Sequence, residues 1–273
     1  MNKILLLVFF YLTQVGLAFS QTIKDRGLIS LSVGSAFAVG KFSSKDLYDN
    51  SSGFAKIGQS VSFSYSRLLS KNWGISGDIH GQRNPLNTNA IESDFSHAKI
   101  YQEFSFGSDP NNPPPQTTYT IYPSWKFDRK TWLYGALLLG GNGQFALDRS
   151  NRVNLITKVM FGAVFAKSPE LRGSSVTDTA TAYILQSKSS AFGFIYSFGG
   201  GLNYYLNKAI FLSSALTYIG TTQITFKDVK ASLTTTKGTI GSPGYSIQQT
   251  TTMQNGKQTI SSINLSLGVG IKL

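Results

Sequence analysis

Apolar and polar residues alternate strictly at the C-terminal end of the chain. The apolar positions are Ile263, Leu265, Leu267, Val269, Ile271 and Leu273. The positions between them are Asn264, Ser266, Gly268, Gly270 and Lys272. Successive side chains of a β-strand point to opposite faces, so one face of this segment is wholly apolar. A strand with lipid on one side and a polar lumen on the other has this signature.

The same alternation recurs in seven segments upstream. These seven segments are 29–39, 60–66, 73–82, 131–146, 153–165, 192–206 and 210–218, and 263–273 is the eighth. Most of them approach the roughly 9–11 residues that a tilted membrane strand needs. The pattern therefore predicts eight spanning strands, with large apolar side chains facing outward.

Short and long connections alternate between these segments. The short ones are 70–72, 148–152 and 207–208, and the long ones are roughly 40–58, 83–130, 168–191 and 221–261. Outer-membrane barrels have short periplasmic turns and long external loops. The chain is therefore predicted to form an all-β, antiparallel up-and-down transmembrane β-barrel with both termini in the periplasm. The barrel assembly machinery is an expected partner, because it reads the closing C-terminal strand.

The segment 97–127 leaves the number of strands open. It contains two weaker alternating runs around the proline-rich stretch 109–115, and as spans these would make ten strands. The charged residues Lys99 and Glu103 weaken the first run as a span, and Pro123 would remove a ladder donor from the second run. We therefore expect eight strands, with 97–127 rising above the membrane as a hairpin of the second long loop.

The N-terminus predicts a secretory signal peptide over residues 1–20. Lys3 gives a positive start, an apolar run follows over 4–11, and Ala18 and Ser20 supply the small residues of a cleavage site before Gln21. A membrane anchor helix is the alternative, but the run is shorter than the roughly 20 residues that a span requires. Residues 21–273 are then the barrel domain.

The composition agrees with a membrane barrel and restricts its partners. The chain has 27 Gly, 19 Phe and 13 Tyr, and only 14% of its residues are charged, against roughly 25% in an ordinary soluble domain. The net charge is +12, but the basic residues are scattered rather than clustered. Outer-membrane lipids and lipopolysaccharide are therefore expected as anionic partners, and nucleic acid is not.

Three groups of residues resemble small outer-membrane β-barrel proteins common in the Bacteroidota. The first group is Gly40-Lys41-Phe42 to Asp46 with Gly53-Phe54-Ala55 and Gly58. The others are Phe161-Gly162 leading to Ser168-Pro169-Glu170-Leu171, and the run from Gly199 to Leu206. The resemblance covers the mature chain and implies a barrel of the OmpA-like or OmpW-like size class in the outer membrane. It implies no catalytic residues.

Asp78, His80 and Lys158 are predicted to point into the lumen. They could form a proton relay or a charged constriction, or they could be paired charges in a filled interior, because an eight-stranded barrel is just wide enough for side chains to fill it. An enzyme would need a base beside a nucleophile, and only His80 and His97 supply an imidazole. The sequence predicts no catalytic residue, no cofactor and no metal site.

The sequence leaves the biological role open between three classes of protein. The first is a structural or surface-binding protein that uses its long loops, above all 83–130 and 221–261, to contact an extracellular ligand or a neighbouring membrane protein. The second is a narrow pore or transporter for small solutes. The third is a membrane-embedded enzyme that modifies lipids, although no motif of the chain supports it. An open lumen would distinguish the second class.

Overall fold

The computed structural model describes residues 27–47, 49, 51–97, 99–102, 118–121, 124–177, 180–237 and 246–273. The expected signal peptide, its cleavage site before Gln21 and the proline-rich stretch 109–115 lie outside these residues. No helix among the described residues is long and apolar enough to cross a membrane.

The described chain is almost entirely antiparallel β-structure. Its strands begin with β1 (Gly27–Ala38), β2 (Gly58–Leu68), β3 (Trp73–Pro85), β4 (Lys99–Gln102), β5 (Thr118–Ile121), β6 (Trp125–Phe127) and β7 (Thr131–Ala146). They continue with β8 (Val153–Lys167), β9 (Leu171–Val176), β10 (Ala180–Gln186), β11 (Ser190–Tyr205), β12 (Ile210–Thr221), β13 (Ile224–Lys237), β14 (Ser246–Gln258) and β15 (Ser261–Lys272). One helix, α1 (Thr88–His97), follows β3, and a short 3-10 turn spans Gly40–Phe42.

Eight strands close into a barrel in the order β1-β15-β12-β11-β8-β7-β3-β2. Each of the eight predicted segments corresponds to one of these strands, so the eight-stranded prediction is confirmed. Closure leaves no unpaired edge, which a chain in lipid requires, because water is absent there to satisfy free backbone groups. The last strand pairs with the first, for example Leu267 with Val33.

The register gives the barrel an apolar outer belt, as the alternation predicts. Leu139, Val33 and Leu267 are outward and 66%, 61% and 66% exposed. The intervening positions face the lumen, where Ala36 and Ser262 are fully buried. Apolar side chains directed away from the interior all around a closed barrel are placed for contact with lipid. The fold is therefore a transmembrane β-barrel.

The three short turns lie at one end of the barrel and are held by their own polar side chains. Oδ1 of Asn207 accepts hydrogen bonds from the backbone N–H groups of Ala209 and Ile210 at 2.8 and 2.7 Å. Oδ1 of Asp148 accepts one from Val153 at 2.8 Å. These contacts satisfy backbone donors at the points where the chain reverses direction.

The described part of the segment 88–127 contributes no strand to the barrel. In its described part, β4 pairs with β5 as a hairpin, which confirms the expected excursion of the second long loop. β6 instead joins a separate sheet. The helix α1 was not predicted. Oδ1 of Asn87 caps its start by accepting a hydrogen bond from the Ala90 N–H at 3.4 Å.

The long connections form a second sheet at the opposite end from the short turns. Its order is β14-β13-β10-β9-β6, and all of its described pairs are antiparallel. We call it the upper sheet. The sequence indicated only loops at 168–191 and 221–261, with extended structure as an option in the second. In the structure β13 and β14 continue the hairpin of β12 and β15 beyond the barrel.

Candidate functional site

Asp78 on β3 and Lys158 on β8 meet inside the lumen, in front of β7, the strand between them. Nζ of Lys158 lies 3.2 Å from Oδ1 of Asp78 and donates a further hydrogen bond to Oγ of Ser64 at 3.1 Å. The two side chains are 25% (Lys158) and 16% (Asp78) exposed, so both charges are largely withdrawn from water. The pairing compensates each charge inside the barrel, where an isolated charge would be costly.

The third predicted residue, His80, does not join this pair. Its ring is buried one inward position closer to the upper sheet, with Nε2 3.4 Å from Oε1 of Gln82. The ring centroid lies 5.9 Å from that of Tyr134. The structure therefore divides the predicted cluster into an ion pair, Asp78 and Lys158, and a histidine that belongs to a different layer. The reason is the strand period, which separates inward residues of one strand by two positions along its length.

That layer is a buried hydrogen-bond network centred on Gln82, and the sequence did not predict it. Oε1 of Gln82 accepts hydrogen bonds from the Tyr134 hydroxyl at 2.6 Å, from Asn264 Nδ2 at 3.0 Å and from Ser262 Oγ at 3.2 Å. These four residues and Asn84 are at most 3% exposed. We call them the Gln82 layer. They come from β3, β7 and β15, so the network crosses the barrel interior.

Asn84 fastens the Gln82 layer to the wall. Its Oδ1 accepts from Gln82 Nε2 at 2.7 Å, while its Nδ2 donates to the carbonyl oxygens of Lys56 and Ala36 at 2.8 and 3.2 Å. Leu138 and Met160 fill adjoining space and are 2% and 1% exposed. A polar network with so many satisfied partners is rigid. The lumen is therefore filled at this level.

Beneath the Gln82 layer the barrel contains a cavity of about 110 Å³. Asp78, Lys158 and hydroxyls such as that of Ser64 supply the polar part of its wall, and side chains such as Ile156 and Met160 supply an apolar part of similar size. Part of the space exists because Gly199 and Gly201 of β11 have no side chain. A Cβ at these positions would lie 2.4 and 2.2 Å from carbonyl oxygens of β12, so glycine permits the close approach of these strands.

Above the Gln82 layer an apolar cap covers the barrel. Trp132 is its centre, with ring centroids 5.7 Å from Phe42 and 5.8 Å from Phe226. The indole Nε1 of Trp132 donates to the Gly53 carbonyl at 2.8 Å. Trp125, an aromatic residue of the second long loop, is 4% exposed and packs inside this cap.

The outer loops enclose a second cavity of about 210 Å³ within the cap. Phe54, Trp132 and Val229 contribute apolar wall, and Gln254 of β14 contributes an amide. Asp49 also lines it, and a side-chain hydrogen bond from Lys41 holds the pKa of that carboxyl well below its usual range. The cavity mouth therefore contains a fixed ion pair.

The upper sheet ends on a long strand whose second edge has no strand beside it in the described chain. β14 has 13 residues and pairs only with β13 in that part of the structure. Its side chains are exposed at Ile247 and from Gln249 to Asn255, on both faces of the strand. The other end of the sheet is β6, which has 3 residues. The accessible backbone of the upper sheet is thus concentrated at β14.

Within the described residues, no group of three or more His, Asp or Glu side chains could hold a metal ion. Asp78 contacts Lys158, and His80 contacts Gln82, so Asp78 and His80 are not arranged as a base and its orienting partner. The geometry combines a barrel that is filled at the level of the Gln82 layer, a cap over the end that carries the long connections, and an exposed strand edge.

No family model matches the chain, and no curated protein matches it. Among solved structures it is similar to a major outer membrane protein of Thermus thermophilus, with a TM-score of 0.42, 10% identity and coverage of 90% of this chain and 99% of that chain. It is also similar to Ail, the attachment invasion locus protein of Yersinia pestis, with a TM-score of 0.38, 13% identity and coverage of 91% of this chain and 99% of that chain. The outer membrane protein OprG of Pseudomonas aeruginosa matches with a TM-score of 0.36, 10% identity and coverage of 92% of this chain and 97% of that chain.

Likenesses at these TM-scores carry no inference about function, and the fold assignment rests on the strand pairing itself. The closed barrel with its apolar belt defines the chain as a β-barrel protein of the outer-membrane class. The resemblance to barrels of the Bacteroidota stays a prediction.

Proposed function

We propose that the protein is a non-conducting outer-membrane protein that binds an extended polypeptide segment of an extracellular partner at the open edge of β14. The observation that carries this proposal is the contrast between the closed lumen and the open strand edge. The Gln82 layer fills the barrel, and the apolar cap covers its outer end. The long connections form the upper sheet, and we expect the partner to bind there.

The open edge of β14 has the chemistry that strand addition requires. An unpaired strand edge presents a row of N–H and C=O groups that another chain can pair with. Native proteins commonly block such edges with charged residues or proline. From Ser246 to Gly256 the strand contains neither. Main-chain hydrogen bonds would supply the affinity, and the exposed Thr, Gln and Met side chains would supply the selectivity.

The closed-lumen half of the proposal is tested by single-channel recording in planar bilayers. The purified mature protein should give no discrete conductance steps. Discrete steps in a folded barrel would overturn it and favour the narrow-pore alternative, because the Gln82 layer would then have to open. Gln82→Ala distinguishes the two seals: small steps in this variant would assign the seal to the Gln82 layer, and their absence would assign it to the apolar cap.

The binding half is tested with a library of displayed linear peptides selected on the barrel in lipid nanodiscs. Consecutive N–H groups of an antiparallel strand point to opposite edges, so Thr250→Pro and Thr251→Pro form a matched pair. One removes a donor that pairs with β13 and lowers stability, and the other removes only an open-edge donor. We expect the selected peptides to lose binding to the proline variant that keeps its stability, because that variant lacks only an open-edge donor. In the wild type, the same peptides should slow hydrogen exchange in β14. Peptides that bind the edge variant unchanged, or a failure to select any, would refute strand addition.

A further inference from the structure

The lipid-facing wall has an open groove near the end that carries the upper sheet, and it runs from β15 and β1 across β2 and β3 to β7. The register aligns outward residues of β2, β3 and β7 in horizontal rows. From the rim downward the rows are Gln59, Arg83 and Leu133, then Val61, Gly81 and Gly135, then Phe63, Ile79 and Leu137. The middle row is therefore recessed between two rows of larger side chains. The groove has a volume of about 910 Å³ and is lined mainly by apolar atoms.

Neither packing nor backbone conformation requires glycine on the groove floor. A Cβ at Gly135 would have its nearest neighbour, the His80 carbonyl oxygen, at 3.9 Å, and one at Gly81 would lie 3.5 Å from Val61. Both are ordinary contacts, and neither glycine has a positive φ. Gly162 on β8 is different, because its Cβ would lie 1.8 Å from a carbonyl oxygen. The floor is thus open space that a side chain could fill.

Two cations stand at the rim of this groove. Nε and Nη2 of Arg83 both donate to Oε1 of Gln59, at 3.0 and 2.6 Å, so a neutral partner orients the guanidinium without cancelling its charge. Lys167 lies on the same row beyond Leu133. Neighbouring strands are about 4.8 Å apart, which places the two backbones about 10 Å apart. Neither residue forms an ion pair with the described part of the chain.

We propose that this groove is a binding site for one molecule of lipopolysaccharide. An acyl chain lies over Gly81 and Gly135, between Val61 and Phe165, the residue that pairs with Gly135 on β8. The phosphate groups of the lipid A headgroup contact Arg83 and Lys167. Charge complementarity selects this occupant, because a phosphorylated headgroup with several acyl chains matches two cations above an apolar recess. The site lies on the barrel wall and is independent of strand addition at β14.

The experiment is native mass spectrometry of the detergent-solubilised mature barrel titrated with lipid A. Arg83→Gln should weaken retention on the order of tenfold, as expected when a hydrogen-bonded charge is lost, and Gly135→Leu should do so by filling the floor. The matched controls are Arg67→Gln, at the short-turn end of β2, and Gly141→Leu, an outward position of β7 where a Cβ is 3.9 Å from its nearest neighbour. Both controls should bind like the wild type.

Dephosphorylated lipid A and inorganic phosphate separate the two parts of the ligand. We expect dephosphorylated lipid A to bind the wild type as weakly as lipid A binds Arg83→Gln, and phosphate alone to give no retained adduct. Equal binding by Gly135→Leu and Gly141→Leu, or by the two forms of lipid A, would overturn the proposal. If Gly135→Leu does not fold, as judged by its far-UV circular dichroism, Gly81→Leu replaces it in the same comparison.

Discussion

Replacing Lys158 with methionine removes the cation that faces Asp78 inside the barrel. The carboxylate is 16% exposed and would lose a partner whose Nζ is 3.2 Å away. Breaking a buried ion pair by removing one partner costs about 3–5 kcal/mol. The adjoining cavity of about 110 Å³ has hydroxyl groups such as that of Ser64 in its wall and has room for water beside Asp78. We therefore expect the lower end of that range, about 3 kcal/mol.

A double-mutant cycle separates the ion pair from its surroundings. The double variant Asp78→Leu/Lys158→Met has no uncompensated charge and should recover most of the loss, since apolar replacement of both partners is often neutral. Ser64→Ala is the matched control: it removes only the neutral partner of Lys158 and should cost about 1 kcal/mol.

The assay is urea unfolding from lipid vesicles followed by tryptophan fluorescence, with free energies obtained by linear extrapolation. Additive losses in the double variant would refute the reasoning, because they would show that the two side chains do not stabilise each other. A loss for Lys158→Met no larger than that for Ser64→Ala would do the same, since it would mean that the lumen solvates Asp78 as well as water does.

Three further predictions test the register, a turn and the orientation. Leu267→Arg should lower stability by about 2–4 kcal/mol because it directs a cation into lipid, whereas the side chain of Ser266→Arg should face the lumen. A spin label at position 266 should therefore show little contact with lipid. Equal lipid contact at positions 266 and 267 would contradict the register. Hydrogen bonds from Ser150 and Val153 lower the pKa of Asp148 from its ordinary value of 3.8. The stability that wild type has in excess of Asp148→Asn should therefore be fully present above pH 3.8 and disappear as the pH falls through the lowered pKa. A difference that stays constant from pH 7 to pH 2 in refolding titrations would contradict this role of Asp148. A cysteine that replaces Asn112 should react with a membrane-impermeant reagent on intact cells. Protection of this cysteine until the outer membrane is opened would contradict the prediction that the long loops face the cell exterior.

The sequence predicted the barrel because lipid imposes a simple rule on it. Every outward position must be compatible with hydrocarbon, so the period of two survives along all eight strands. Outside the bilayer no such rule applies. β13 and β14 are rich in Thr, Ser and Gln, and only pairing with each other and with β10 determines that they are strands. The helix α1 had one local signal, the cap at Asn87, which is too short a signal to identify a helix.

The interior was predicted less completely than the wall. Alternation identifies which residues point inward, and Asp78, His80 and Lys158 lie inside the barrel in the structure. It does not determine at which height a residue on one strand meets a residue on another, because that depends on the stagger between strands. For this reason the sequence groups His80 with Asp78 and does not predict the contact between Gln82 and Asn264, which lies at the far end of the chain.

The continuity of β12 and β15 with β13 and β14 has a mechanical consequence. A partner that pulls on β14 loads a ribbon whose strands run from the exposed hairpin through the membrane to the turn at Asn207. When two strands are pulled in opposite directions along their axes, their hydrogen bonds are loaded in parallel, whereas pulling across the axes opens them one at a time. The register extends from the pair Lys237 and Ser246 to the pair Ile210 and Ile271. A tensile load at the cell surface would thus be shared along this ribbon and passed through the β15–β1 seam to the rest of the barrel.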